Sequence, residues 1–427
     1  MAEPQNRFSG TLQNPQSATF KLSDVPSGLD VLPIGLTAED GAASKGLLYR
    51  KEKTRPKVGV HLMHPRTDHS QNYAILPLAQ AGYAVLGRSS RWPNNDVATI
   101  HEMLLLDVAA GVRELREQGC DHVILLGNSG GSSLAAFYQA QARCVGGERL
   151  THTPAGDAFN LNKFDLPAAD AVICLAGHLG QGVLLSKLID PSVADESDPI
   201  TSVPELDLFN PQNGFRAPPE SSQFSVEFLE RYHNAQLERI SRLDAKARQM
   251  IQDQRNSAKM IDQANGPALS HLQRAARAGW HMLIYRTTAD PASVDLNIEP
   301  DDRIVATYST QRPDLENYGE NGFARTVTPR AWLSTWSALS SNARTLDNLA
   351  RVRDPLLVVH YAGDAATRLS EVKEMIARSA ASDKNLCVVP RADHYGRELL
   401  PDGGTGKRST LGTDRIVQWL HDRFPSK

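Results

Sequence analysis

His122-Val-Ile-Leu-Leu-Gly-Asn-Ser-Gly-Gly131, continuing as Ser132-Ser-Leu-Ala-Ala-Phe-Tyr-Gln139, decides how the rest of the chain is read. Residues 123–126 are an unbroken apolar run, the pattern of a strand buried on both faces. G-x-S-x-G follows at Gly127–Gly131, and an alanine-rich helical segment comes directly after it. A sharp strand-to-helix turn here lifts the Ser129 hydroxyl clear of the sheet on a strained backbone. Gly127 and Gly131 are what such a turn requires, because a Cβ at either position meets the neighbouring strand or helix. The helix start adds free N–H groups and a positive end aimed at any negative charge that forms there. The bland alternative is a glycine-rich turn carrying a solvated serine. A chain of 427 residues shows this pentapeptide by chance only roughly 0.1 times, and the flanking strand and helix favour a nucleophile.

Outward from this turn, short apolar strands alternate with amphipathic helices. Residues 18–22, 30–36 and 46–51 read as short antiparallel strands, after a polar and loosely held stretch of about twenty residues. Strands follow at 58–64 and 83–86, with a helix at 72–81 closed by Gly82. A helix at 103–118 carries Leu104, Leu105, Val108, Val112 and Leu115 at helical spacing and ends at Gly119. A buried strand lies at 170–176. The alternation stops near Gly180 and resumes at 355–361, with a helix at 369–379, a strand at 385–389 and a last helix at 409–424. This is the signature of a mostly parallel sheet covered on both faces. The intervening residues differ in character, with a Pro-rich linker at 197–219 and a long charged helix at 225–263. That helix keeps no steady heptad, so it reads as a packed lid helix rather than a coiled-coil arm.

A serine nucleophile needs a base and an acid to orient the base. In an open α/β sheet these belong on loops beyond the carboxyl ends of the strands. The strand at 356–361 runs into Ala362-Gly363-Asp364, and the strand at 385–389 runs into Pro390-Arg-Ala-Asp-His394. Ser129, Asp364 and His394 therefore come in the chain order of one group of triad enzymes. Asp393 competes as the acid but, as the neighbour of His394, should point elsewhere. Asp354 precedes its strand and lies at the wrong end of the sheet.

With the turn at Gly127–Gly131, the His64-Pro65-Arg66 loop, the acid turn at Gly363-Asp364 and the terminal His394, the chain resembles the α/β-hydrolase superfamily over about residues 30 to 424, the insertion apart. The resemblance implies a Ser129–His394–Asp364 triad, a cap inserted after the sixth strand, and hydrolysis without a cofactor. It divides the chain into a core (about 1–180 and 346–427) and a cap (about 181–345). The oxyanion hole is expected to combine the Gly130 N–H with one from the loop after His64. Many members have His-Gly there; Pro65 has no N–H, so Arg66 is the expected second donor and Thr67 the fallback.

Other residues are weighed against plainer roles. His61, His64 and His69 have no carboxylate or thiol pattern of metal-ligand spacing beside them, and local hydrogen bonding that shapes the loop is favoured over a metal. Arg66, Arg88 and Arg91 border the expected pocket, where Arg88 and Arg91 could grip an acidic substrate; the plainer reading is ion pairing. His64, Asn128 and His178 complete the substrate-binding candidates. The tryptophans with Tyr285, Tyr308 and Tyr318 form either an aromatic wall or the lid's own core. Gly177, Gly180 and Gly182 suit a hinge. A net charge of −3 speaks against a nucleic-acid partner, and no apolar run reaches membrane-spanning length. Cys120, Cys144, Cys174 and Cys387 are scattered, and the polar N-terminus lacks a signal-peptide segment, so a cytoplasmic location is expected. The reading is a serine hydrolase cleaving an ester of a small to medium-sized organic molecule, with an aromatic-rich cap that offers a surface for a homodimer. The alternatives are lactone, amide or carbon–carbon bond hydrolysis or acyl transfer at the same triad, or a non-catalytic binding protein on this scaffold.

Overall fold

The structure, a computed structural model, describes residues 19–307, 309–320, 322–400 and 404–426. Residues 1–18 and Tyr308 lie outside this set. Eight strands form one sheet: β1 (Leu29–Thr37), β2 (Ala43–Lys51), β3 (Val58–Met63), β4 (Ala84–Arg88), β5 (His122–Asn128), β6 (Ala171–Leu175), β7 (Leu356–Tyr361) and β8 (Lys384–Val389). Their order is β1-β2-β4-β3-β5-β6-β7-β8. β2 runs antiparallel to both β1 and β4, and every other pairing is parallel. This is the α/β-hydrolase fold. The strand expected at 18–22 is reduced to a single bridge between Thr19 and Asn72.

The central strands are mostly apolar because both of their faces are covered. Successive side chains point to opposite faces, and β5 divides accordingly. Val123 and Leu125 join a core with Leu105, Val108 and Val112 of α2 (His101–Glu117) and Phe137 of α3 (Gly131–Ala142). Ile124 and Leu126 join another with Ile75 and Leu78 of the short helix Ile75–Gln80 and with Trp419 and Leu420 near the C-terminus. A sheet buried on both faces is rigid, and rigidity at the strand ends is what positions side chains for chemistry.

Between β6 and β7 the chain builds a separate apolar core. Leu184 and Leu185 of α4 (Gln181–Leu188) meet Ile240, Leu243, Ala247 and Ile251 of α5 (Val226–Lys259), together with Trp332 and Trp336. Ser225 caps α5 by accepting from the Phe228 N–H at 3.1 Å, a contact that typically contributes about 1 kcal/mol. Its buried residues then recur in steps of three and four, so this is a helix with one packed face. Trp332 and Trp336 are fully buried, in a π-helical turn, whereas Trp280 and Tyr318 are exposed; the aromatics do not share one wall. The inserted core is tied to the sheet body at the start of α2, where the buried Glu102 accepts from Ser334 Oγ (2.6 Å) and Asn342 Nδ2 (2.9 Å). Gly177 and Gly182 have a packing reason: a Cβ on the first would meet Ser132, and one on the second would lie 2.6 Å from the Ser337 carbonyl. Among the described residues no helix is long and apolar enough to cross a membrane.

Candidate active site

Ser129 stands between β5 and α3 with φ at +55°, a left-handed conformation that costs a non-glycine residue of order 1–3 kcal/mol. Its neighbours permit the turn. A Cβ on Gly127 would overlap the backbone of Gly131 and Ser132, and one on Gly131 would lie 2.6 Å from the Met63 carbonyl oxygen. The Ser129 N–H is held by the Leu175 carbonyl at 2.9 Å, and the residue is only half-buried, so its hydroxyl is reachable.

Two loops one strand apart bring the partners. His394, after β8, places Nε2 3.0 Å from Ser129 Oγ and Nδ1 2.7 Å from Asp364 Oδ2. Asp364, in the loop after β7, is fully buried and fully bonded. Oδ1 accepts from the N–H groups of Ala366 (2.7 Å) and Thr367 (3.2 Å), and Oδ2 also accepts from the Thr367 hydroxyl at 2.8 Å. Burial opposes the charge, but the His394 imidazole and these donors outweigh it and hold the carboxyl at about 2. On His394 burial again opposes charge, and the Asp364 carboxylate overcomes it, raising the imidazole above its ordinary 6.5. Asp393 is occupied by Arg397 and the Tyr395 N–H, and Asp354 by Gln139 and Arg143. The arrangement can move a proton from Ser129 Oγ to His394 while Asp364 steadies the resulting cation.

The structure corrects several expectations. Arg66 does not offer its amide to Ser129: its N–H and that of Thr67 both donate to Nδ1 of His64, each at 3.1 Å. The turn closes on the ring because Pro65 leaves no nearer donor. The Arg66 guanidinium is paired with Asp96 and stacked over Phe323 (4.7 Å) and Trp336 (5.0 Å). Arg88 is buried and bonded to the Asp107 carbonyl (2.7 Å), the Ser89 carbonyl and Ser44. Arg91 is paired with Asp107 and Asp40. Both guanidiniums are spent on holding loops, so neither grips a substrate. Asn128 is also structural, donating to the Leu175 carbonyl and accepting from Asn72, each at 3.0 Å.

His178 lies near the pair; its Nδ1 accepts the Gly180 N–H at 3.1 Å. Burial, then the neighbouring His394, push it down to about 3. Gly130 opens α3, and no acceptor among the described residues takes its N–H. A Cβ on Gly130 would overlap the amide of Gln181 and lie 2.8 Å from His64 Nε2. Gln181 was not legible in the sequence, because it sits where the strand–helix alternation breaks off. Thr367 was also missed, although a threonine three residues beyond an acid turn can fold back on the carboxylate. A cavity of about 200 Å³ is lined by His394 with Gly363, Leu399 and the inserted residues Ile304, Ala306 and Thr307.

No protein-family model and no curated protein matches the chain. Among solved structures it is similar to an esterase of Pyrococcus furiosus, Pf2001, at 11% identity over 94% of this chain and 94% of that one, with a TM-score of 0.43. It is similar to the hypothetical protein PA2218 of Pseudomonas aeruginosa (12%, 97% and 98%, TM-score 0.47) and to Est1E of Butyrivibrio proteoclasticus (11%, 91% and 98%, TM-score 0.44). Likeness this distant carries no functional inference, and the chemistry rests on the side chains.

Proposed function

We propose that this chain is a serine hydrolase that cleaves a carboxylic ester of a small to medium-sized organic molecule through an acyl-enzyme. The observation that carries the reading is the hydrogen-bonded line from Ser129 Oγ to His394 (3.0 Å) to Asp364 (2.7 Å), starting from a serine on a strained turn. Ser129 attacks the ester carbon while His394 Nε2 takes its proton. The imidazolium is stabilised by Asp364 and then protonates the departing alcohol. Water, deprotonated by the same His394, releases the acid and restores the serine. Arg88 and Arg91 have no part in this, so acidic esters gain no advantage over neutral ones.

The test is labelling by a fluorophosphonate, mapped by peptide mass, beside turnover of nitrophenyl esters of graded acyl length, anilides and lactones. The expected result is modification at Ser129, esters turned over fastest, and a Ser129→Ala variant whose kcat is lower by on the order of 10⁶. A variant within tenfold of the parent removes the assignment. A parent protein that takes no label is a binding protein on a hydrolase scaffold, and faster lactones or anilides move the activity to those bonds.

A further inference from the structure

A tetrahedral oxyanion is best held by two donors, and among the described residues the loop after β3 turns none of its amides toward Ser129. The Gly130 N–H has no acceptor among the described residues and opens the helix that follows Ser129. The second donor ordinarily comes from the loop after β3. Here Pro65 has no N–H, and the amides of Arg66 and Thr67 are both turned into the His64 ring. That arrangement fixes the ring's protonation. A nitrogen accepting two N–H bonds carries no proton, so the neutral imidazole has its hydrogen on Nε2. Burial, with His69 and the Arg66 cation next in size, keeps His64 neutral far below ordinary pH. Nε2 itself reaches Gly130: it lies 2.8 Å from where a Cβ would stand, beside the Gln181 amide, and only a glycine at 130 leaves room for both side chains.

We propose that the Nε2–H of His64 is the second donor of the oxyanion hole, taking the place of the missing loop amide; this rests on the serine-hydrolase reading. As Ser129 Oγ bonds to the carbonyl carbon, the C=O π pair moves onto oxygen and the hydroxyl proton passes to His394. The oxyanion accepts from Gly130 N–H and His64 Nε2–H. On collapse the C=O bond reforms, the C–O bond to the alcohol breaks, and the alkoxide takes the proton from His394. His64 keeps its hydrogen throughout. A histidine held neutral is the right donor, because a charged one would release its proton to the oxyanion or repel the His394 imidazolium. Two amides in the loop thus serve the reaction through a ring.

The experiment separates the two jobs of the ring. In His64→Asn the side-chain oxygen reaches the place of Nδ1 and still accepts the two amides, but nothing reaches the place of Nε2. In His64→Gln the side-chain amide reaches Nε2 and restores a donor. Turnover of a nitrophenyl ester and the rate of fluorophosphonate addition to Ser129 are measured for both, with thermal midpoints. His64→Asn is expected to keep KM and its thermal midpoint close to the parent's while kcat and the phosphonylation rate fall by about 10²–10³, and His64→Gln to recover part of the loss. An Asn variant within threefold of the parent overturns the proposal. So does a loss accompanied by a collapsed midpoint, with Gln no better than Asn, which is the outcome of a purely structural ring. A parent that takes no label at Ser129 defeats the hydrolase reading itself, a result distinct from either.

Discussion

Two loops at the same end of the sheet each present a buried histidine to the region of Ser129, and they treat it oppositely. The loop after β8 gives His394 a carboxylate partner, and its affinity for a proton rises above the ordinary value. The loop after β3 buries His64 beside His69 and the Arg66 guanidinium, and its affinity falls well below; two backbone N–H groups on Nδ1 keep its hydrogen on Nε2. Burial acts the same way on both, always against charge; only His394 has a carboxylate to overcome it, whereas His64 has none. An acceptor on Nδ1 makes a base of the far nitrogen, and a donor on Nδ1 makes a fixed hydrogen-bond donor of it. One residue type therefore serves two chemical ends within a single site.

The comparison breaks most visibly if the acceptor is removed. Asp364→Asn is expected to lower kcat by about 10⁴, because an amide can hold the imidazole in the wrong tautomer. Steady-state kinetics at one pH reads that loss. The loss for His64→Asn should be smaller by one or two orders of magnitude, since it removes a donor and not the base.

The pH dependence sharpens the contrast. His394 must be neutral to accept a proton, so kcat/KM should be lost as pH falls through a midpoint above 6.5, the ordinary imidazole value. His64, neutral throughout, should add no second ionisation in that range. In Asp364→Asn the carboxylate no longer offsets burial, and the midpoint of the residual activity should move below 6.5. A midpoint that stays put would mean that Asp364 does not govern the ionisation of His394. The smallest effect is expected at Gln181, whose amide shares the corner with His64 Nε2. Gln181→Met keeps the volume but takes away the amide beside Gly130; if that amide supports the transition state by one neutral hydrogen bond of about 1 kcal/mol, kcat should fall about fivefold with KM unchanged. A KM effect in place of a kcat effect would make Gln181 a substrate contact and not a support of the transition state.

How legible these parts were in the sequence follows from how local they are. β5 and its turn are written in adjacent residues: an apolar run, two glycines where backbones touch, and a helix start. Asp364 and His394 follow from where their strands stop, which periodicity gives within a residue or two. For Arg91 the plainer ion-pair reading was the right one, and Arg88 and Asn128 were placed at the pocket because their partners are remote in the chain. Asp107, Asp40 and Asn72 take them only after the fold has formed. The Arg66 amide failed for a different reason, since the direction of a backbone N–H is set by the turn and not by residue type. The inserted segment was legible as one long helix in less regular chain; read as 225–263, the helix spans Val226–Lys259 and Ser225 is its cap.

Arg66 belongs to both halves of the protein. Its guanidinium rests on the paired rings of Phe323 and Trp336 in the insertion, while its amide steadies His64 beside Gly130. Shifting those rings strains the turn that aims the imidazole, so on the proposed mechanism the fit of the inserted segment and the stabilisation of the oxyanion are mechanically joined. Swapping the insertion for one of another shape is therefore expected to alter the turnover of a single ester through the His64 turn alone.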